Sequence, residues 1–199
     1  MSYQAERKQQ AKNTRRAILD AAAGLIRQTG FEKMTVRDIC DKAGVTTGAF
    51  YHHFPSKEAL LVYGFSSLDD YLEEALATRD FQDPAEKLAA LLRYYAQYME
   101  NLGWQNMALY YSHRLANPAA SPMSPDRFTL RTMRDCFEEL SRERVLSPAY
   151  DPALAADFCF RHFRGVVIDW ILHQGSYPLW DKLEHDYKHF DLVMRAPQP

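Results

Sequence analysis

Small and hydroxyl-bearing residues mark the start of one short predicted helix, which begins Thr46-Thr47-Gly48-Ala49. A hydroxyl can donate a hydrogen bond to a base edge or accept one, and an alanine methyl group can contact the methyl group of thymine. Glycine has no Cβ, so it lets the backbone approach another molecule closely. This composition favours a helix whose N-terminal end lies against nucleic-acid bases, and the competing use of the same residues is packing against protein.

Side chains that can reach phosphate oxygens follow within the next ten residues. Tyr51 and His52 stand about one helical turn after Thr47, within reach of the nucleic-acid backbone. Lys57 is predicted in the first turn of the next helix, where its ammonium group and the exposed N–H groups would share a phosphate. His53 is expected to be at least partly structural, because two adjacent helical residues cannot face the same surface.

A tight pair of predicted helices, 35–43 and 46–53, positions these residues. The pair is joined through Ala43-Gly44-Val45, and Gly44 can adopt the positive φ that a sharp turn between two helices requires. This is the pattern of a helix-turn-helix unit packed on a preceding helix. The apolar residues available for that packing are Ile39, Ala43, Val45 and Phe50 on the pair, and Ile18, Leu25 and Ile26 on the first helix.

Helix signals dominate the whole chain, and the alternation and hairpin turns typical of strands are absent. Thr35 with Asp38 has the spacing of a capping box, and Asp83-Pro84 places a capping residue before a proline that the first helical turn tolerates. The sequence therefore predicts an all-α fold of about nine helices. They are expected near 14–29, 35–43, 46–53, 56–79, 84–101, 104–116, 125–146, 152–174 and 178–194.

Charge is distributed unevenly along the 199 residues. Residues 1–60 carry 10 Lys and Arg against 6 Asp and Glu, whereas residues 61–199 carry 14 against 20, within a net charge of −2. The basic segment 7–16 is expected to contact phosphates or the minor groove unless it is only a solvated end. A basic N-terminal part, 1–60, which we call the head, followed by an acidic part, 61–199, indicates two domains. The head is expected to approach a polyanion.

The run from Thr35 to Leu60, TVRDICDKAGVTTGAFYHHFPSKEAL, resembles the TetR family of transcriptional regulators. With helix 14–29, the resemblance covers about the first 60 residues. It implies a DNA-binding helix-turn-helix domain with a basic N-terminal arm at 1–60, and a helical ligand-binding and dimerisation domain at 61–199. The function it implies is that of a homodimer that binds a palindromic operator on double-stranded DNA, usually as a repressor, and releases it when a small-molecule effector binds.

The resemblance also assigns roles to single residues. Base contacts fall on Arg37, Thr47 and Gly48, and positions near bases or phosphates are Thr46, Tyr51, His52 and Lys57. Cys40 stands where the family commonly has alanine, which leaves open a redox-sensitive head.

Aromatic and methionine side chains are concentrated in the second domain, and most are expected to pack between helices. Some are predicted to line an apolar cavity in which tyrosine hydroxyls and a histidine would orient the effector. The candidate ligand-binding residues, chosen because they lie in central helices, are Tyr94, Tyr98, Tyr110, Met133, Phe137 and His162.

The last two predicted helices, 152–174 and 178–194, are rich in apolar side chains, and Gly165 would permit close approach of another backbone. The resemblance implies that this pair forms a four-helix dimer interface, with core packing as the competing use. His185 and His189 have the spacing of metal ligands, but the charged residues around them favour a solvated face.

Other function classes find little support in the sequence. Motifs of hydrolases, zinc proteases and phosphate-binding loops are absent, so no catalytic residue, metal or cofactor is expected. Three scattered cysteines and the lack of a long apolar segment predict a cytoplasmic protein without membrane contact. Two alternatives stay open: a DNA-binding regulator or activator without a ligand, favoured by a missing cavity, and a small-molecule-binding protein or enzyme with a vestigial helix-turn-helix, favoured by turnover.

Overall fold

The computed structural model describes residues 3–117 and 126–195. Over these ranges the chain forms α-helices without a β-strand, apart from a single bridge between Leu146 and Arg195. The predicted all-α fold is therefore confirmed. The nine helices within the described ranges are α1 (Tyr3–Thr29), α2 (Val36–Ala43), α3 (Thr47–His53), α4 (Ala59–Ala77), α5 (Pro84–Leu102), α6 (Trp104–Ala116), α7 (Phe128–Arg142), α8 (Pro152–Leu172) and α9 (Leu179–Met194).

Helix α1 begins at Tyr3, about three turns before the predicted start at residue 14. Residues 3–13 contain neither proline nor glycine and are rich in good helix formers. Asn13, just before the predicted start, accepts a hydrogen bond from Nε2 of Gln9 at 3.0 Å within the helix. The expected basic arm, 7–16, is therefore helical.

Two other boundaries also differ from the prediction. Helix α4 begins at Ala59 instead of residue 56, where the Oγ of Ser56 accepts a hydrogen bond from the N–H of Ala59 at 3.3 Å. Helix α7 ends at Arg142 instead of residue 146, because Arg144 adopts a left-handed conformation with φ of 59°. Residues 118–123 of the predicted loop and the predicted helix start at 125 lie outside the described ranges.

The chain divides into two compact units, which are 1–65 with 105–117, and 66–104 with 118–199. The sequence places the domain boundary between residues 60 and 61, and it does not anticipate that most of α6 belongs to the first unit. Asn106 of α6 is buried, and its Nδ2 donates to the carbonyl of Ala23 in α1 at 3.3 Å. A side chain 83 positions away in sequence therefore supports the helix that carries the helix-turn-helix.

The core of the first unit is built from α1, α2, α3 and the start of α4. Its side chains are almost fully buried, as the apolar spacing on the helix pair predicts. Ile18, Ile39, Phe50 and Phe54 are each 0% exposed. These residues fix the three helices as one body.

The second unit is held by α5, α7, α8 and α9, which share a core of aliphatic and aromatic side chains. Within this unit, Asp69 connects α4 to the start of α7. Its carboxylate accepts hydrogen bonds from Nε of Arg127 at 2.8 Å and from Oγ1 of Thr129 at 2.8 Å. Glu100 accepts a hydrogen bond from the N–H of Leu179 at 2.6 Å and so satisfies a free donor at the start of α9.

None of the helices over the described ranges has the length and apolar character that spanning a membrane demands.

Candidate nucleic-acid interface

The turn between α2 and α3 adopts the conformation that its glycine predicts. Gly44 ends α2 in the left-handed region, with φ of 68° and ψ of 34°. The N–H groups of Gly44 and Val45 both donate to the carbonyl of Cys40, that of Val45 at 3.0 Å, and so satisfy a carbonyl at the helix end. Helix α3 follows after one further residue, so the two helices form a compact helix-turn-helix.

The start of α3 presents the small residues to solvent. Thr46 is the N-cap, and its Oγ1 accepts a hydrogen bond from the N–H of Ala49 at 3.1 Å. Thr46, Thr47 and Gly48 are all exposed. The Thr46 hydroxyl oxygen accepts one hydrogen bond within the chain and the Thr47 side chain forms one with Cys40, whereas Gly48 leaves its backbone open to solvent.

Helix α2 carries Arg37 in its first turn, where the side chain is exposed. The helix starts with the predicted capping box: the N–H of Asp38 donates to Oγ1 of Thr35 at 3.2 Å, and the N–H of Thr35 donates to Oδ2 of Asp38 at 2.9 Å. The Thr35 hydroxyl also donates to the same carboxylate oxygen at 2.7 Å. These local bonds fix the backbone from which Arg37 projects.

The capping box predicts a pH dependence. Hydrogen bonds from the Thr35 side chain and backbone lower the pKa of Asp38 below its usual 3.8. Because the folded chain lowers this pKa, the stabilising contribution is present above pH 3.8 and is lost as the pH falls below it. We expect Asp38→Asn to lower the thermal unfolding midpoint at neutral pH, with the difference from wild type vanishing under acid conditions.

A matched control for this prediction is Asp41→Asn, which changes another exposed carboxylate of the same helix. Its midpoint should follow that of wild type at both pH values. A loss of stability in Asp38→Asn that persists unchanged in acid would contradict the capping assignment.

The end of α3 contains one exposed tyrosine and two histidines. Tyr51 is 54% exposed and meets the ring of Phe50 edge-on, at 5.3 Å between centroids. His52 is exposed, whereas His53 is half-buried, which agrees with its expected structural role. Burial lowers the pKa of His53, and the neighbouring His52 and Arg15 lower it further. Tyr51 and His52 are therefore the residues of this group that remain available to a partner.

Lys57 does not occupy the position that the sequence predicts. It precedes α4 by two residues, so it does not lie in the first turn. Its Nζ donates to the backbone carbonyl of Phe31 at 3.0 Å and to that of Met34 at 3.2 Å. The ammonium group also lies 4.4 Å from the centroid of the Phe31 ring. The charge of Lys57 is therefore directed toward the connection between α1 and α2, and its phosphate contact stays a prediction.

Cys40 is buried behind the helix pair, with 3% of its surface exposed. Burial raises the pKa of its thiol, although a hydrogen bond with the Thr47 side chain acts in the opposite direction. Reactive cysteines are exposed and have a low pKa. The structure therefore favours a packing role for Cys40 over the redox role that the sequence left open.

The predicted ligand-binding residues do not form one group. Tyr94 and Tyr98 are half-buried and surround Tyr71, with centroid distances of 6.4 and 5.3 Å. Met133 and Phe137 are buried in the core of the second unit. Tyr94 and Tyr98 thus remain candidates by exposure, whereas Met133 is used for packing.

His162, a predicted ligand-binding residue, lies at the surface of the second unit. This side chain is exposed on α8, and its Nε2 lies 3.1 Å from Oδ2 of Asp186 on α9. Tyr110 is buried in the first unit, where its hydroxyl accepts a hydrogen bond from Nη1 of Arg114 at 3.1 Å.

An apolar cleft of about 290 Å³, open solvent included, contains only Phe137 of the six candidates. Its other lining residues include Leu88, Tyr187, Phe190 and Met194.

The two histidines of α9 follow the expectation of a solvated face. His185 and His189 are exposed, with ring centroids 4.4 Å apart, and Nδ1 of His185 lies 3.2 Å from Oδ1 of Asp186. Over the part of the chain that the structure describes, no group of three or more His, Cys, Asp or Glu side chains is arranged to hold a metal ion.

One surface was only partly anticipated from the sequence. One side of α8 is buried in the second unit, and its exposed side carries large apolar side chains around Gly165 together with the ion pair of Arg161 and Asp157. We call this exposed set the α8 face, which consists of Leu154 (68% exposed), Phe158 (54%), Ile168 (40%) and Leu172 (75%) together with Gly165. Leu154 and Ile168 were missed, although Leu154 lies four residues before Phe158 and Ile168 lies four residues before Leu172, which is a helical spacing.

Comparison with known proteins agrees with this geometry. The family model for bacterial regulatory proteins of the tetR family matches residues 18–63, which span the core of α1, the helix-turn-helix and the start of α4. The chain is 25% identical to a probable acrEF/envCD operon repressor of Escherichia coli, covering 87% of this chain and 83% of that protein. It is 28% identical to the transcriptional repressor KstR2 of Mycobacterium tuberculosis, covering 81% and 80%.

A solved structure on the control of antibiotic production by bacterial hormones has the same fold. It superposes with a TM-score of 0.75 at 26% identity and covers 92% of this chain and 98% of the other. The likeness therefore extends beyond the helix-turn-helix into the second unit. The motif, its geometry and these relatives together make the chain a member of the TetR family of DNA-binding transcriptional regulators.

Proposed function

We propose that the protein is a homodimeric repressor that binds a palindromic operator and releases it when a small molecule binds the second unit. The observation that carries this proposal is the exposed end of α3, where Thr47, Gly48 and Tyr51 face solvent on a head whose core is complete without them. A recognition helix of this kind enters the major groove with its N-terminal residues at base edges.

Arg37 of α2 and His52 of α3 extend the proposed interface. Both are exposed, and a guanidinium group can bond two acceptors of guanine at once. Helix α1 adds exposed cations beyond its buried part, at Arg7, Lys8 and Lys12. Because these residues are helical, we propose that they bind phosphates as a rigid basic helix and not as a flexible arm in the minor groove.

The α8 face supports the proposed homodimer. Four large apolar side chains on one side of α8 remain open to solvent in the single chain, beside the ion pair of Arg161 and Asp157. Gly165 stands in the middle of the α8 face, and a Cβ built there meets no atom of the described residues within 4 Å. Its small size is therefore not needed by the protomer, and it suits close approach of a second helix.

The half-buried tyrosines support a ligand in the second unit. Tyr71, Tyr94 and Tyr98 combine apolar ring surface with hydroxyl groups, as sites for small apolar molecules with a few polar groups do. Two similar proteins are described as an A-factor receptor and as a ketosteroid transcriptional regulator, which accords with an effector of this class. Turnover of an effector by the purified protein would favour the enzyme alternative instead.

Tyr51→Ala tests the proposed interface directly. We expect it to weaken binding to DNA from the protein's own promoter by about tenfold or more, because an exposed side chain on the recognition helix is lost while Phe50 keeps the core. Fluorescence anisotropy with labelled duplex would measure the change. The matched control is Tyr150→Ala, which removes an exposed tyrosine of the second unit. Equal affinity of both variants would contradict the assigned interface.

A further inference from the structure

The ammonium group of Lys57, a half-buried residue, contacts three groups of its own chain. It donates to the carbonyl of Phe31 at 3.0 Å and to that of Met34 at 3.2 Å, and it lies 4.4 Å from the centre of the Phe31 ring. A lysine has three N–H donors and no acceptor. Two carbonyls and one aromatic face account for all three directions, since a ring face attracts a cation.

The two carbonyls belong to the connection between α1 and α2, in residues 30–35. This segment leaves α1 through Gly30, which has a φ of 81°, and places Met34 in the core with 2% exposure. Because residues 31 and 34 lie outside both helices, neither helical ladder supplies a donor to their carbonyls. Lys57 is the donor that the described contacts provide for both.

Lys57 itself belongs to the connection between α3 and α4. Met34 is followed directly by Thr35, the N-cap of α2, whereas Phe54 ends α3 just before Lys57. The ammonium group therefore joins the entry of α2 to the exit of α3. The first of these elements carries Arg37 and the second carries Tyr51, so this contact adds to the core packing that sets their separation.

We propose that Lys57 is a positioning residue that fixes α2 against α3 for DNA binding, and that it does not bind a phosphate. The inference rests on the proposed function, since it assigns a role within the same interface. To reach a phosphate, the ammonium group would have to leave two carbonyl oxygens of a part-buried connection without their donor. An exposed cation has no such constraint.

Lys57→Met separates the two roles, with Lys33→Met as its matched control. Methionine keeps an unbranched apolar chain but removes the ammonium group, and Lys33 is an exposed lysine of the same α1–α2 connection. We expect Lys57→Met to lower the thermal unfolding midpoint by about 4 to 8 °C, because two hydrogen-bonded carbonyls lose their donor. Lys33→Met should leave the midpoint within about 1 °C.

The salt dependence of binding to a mixed-sequence DNA duplex is the second measurement. Each lost phosphate contact reduces the slope of log K against log salt by about 0.9. We expect the affinity of Lys57→Met to fall about 3- to 30-fold with the wild-type slope. A slope that is lower by about 0.9 per head overturns the proposal whatever the midpoint does. An unchanged midpoint overturns it as well.

A measurement on the wild-type chain covers the case in which Lys57→Met fails to fold. With 15N-labelled lysine, the ammonium group of Lys57 should give a slowly exchanging NMR signal whose shift stays constant when duplex is added. A signal that moves on titration overturns the proposal. If the wild-type chain binds no duplex, the proposed function fails, whereas the midpoint and the exchange rate still report on Lys57.

Discussion

Gly48→Gln should reduce operator affinity by about a hundredfold or more and leave the protein folded. Gly48 is the second residue of α3 and is exposed. A Cβ at this position would meet only Oγ1 of Thr46, at 3.9 Å, which is an ordinary contact. The head therefore has room for a side chain, and glutamine favours a helix over glycine by up to about 1 kcal/mol. The proposed DNA surface does not have this room, because the backbone of residues 47 and 48 must approach the bases closely.

The test of Gly48→Gln compares thermal unfolding with DNA binding in one preparation. The midpoint should equal or exceed that of wild type, whereas anisotropy with operator duplex should show the loss. Ser141→Gln is the matched control, since it places the same side chain on an exposed position of α7. Near-wild-type affinity in Gly48→Gln would place this end of α3 away from the DNA.

Local signals explain why the helix-turn-helix was predictable from sequence. The capping box of Thr35 and Asp38, the left-handed Gly44 and the cap at Thr46 all act within four residues of the groups that they satisfy. Apolar spacing then identifies Ile39 and Phe50 as core residues, and both are fully buried. These features need no knowledge of distant parts of the chain.

The unpredicted features depend on partners that are distant in sequence. Lys57 finds its carbonyls 23 and 26 positions earlier, and His162 finds Asp186 24 positions later. A helical pattern identifies His162 as a helix residue but does not indicate whether it faces a cavity or another helix. The start of α1 was missed for a different reason, because an asparagine can cap a helix or bond within it, as Asn13 does with Gln9.

Composition alone could not assign the aromatic residues of the second unit. Tyr94 and Tyr95 are adjacent and identical in type, yet Tyr94 is half-buried and Tyr95 is 3% exposed. On α8 the same ambiguity separates Phe158, at 54% exposure, from Phe160, at 7%. Such residues differ only in the direction that the helix gives them, so the structure was required to separate core from surface.

Gly165→Arg should convert the proposed dimer to a monomer. Residue 165 is in a helix and exposed, and the described residues leave the space at its Cβ empty, so the single chain accommodates arginine. Arginine also favours a helix over glycine by up to about 1 kcal/mol. Between two α8 faces, however, a long charged side chain would prevent the close approach that glycine permits and would bury a charge among apolar residues.

The consequences of Gly165→Arg extend to DNA binding. Two linked heads bind a palindrome with an avidity of about 10²–10⁴ over a single head, so operator affinity should fall by that factor although the helix-turn-helix is untouched. Light scattering coupled to gel filtration would give the mass, and anisotropy would give the affinity.

Gly175→Ala supplies the contrast for Gly165→Arg, because the protomer itself requires this glycine. Its φ is 68°, and a Cβ would lie 2.9 Å from Cδ1 of Trp104. This variant should lower the thermal midpoint and remain dimeric, whereas Gly165→Arg should keep the midpoint of an intact second unit and lose the partner. A dimeric Gly165→Arg with wild-type operator affinity would mean that the α8 face serves another purpose, and the exposed leucines at its two ends would then need a different partner.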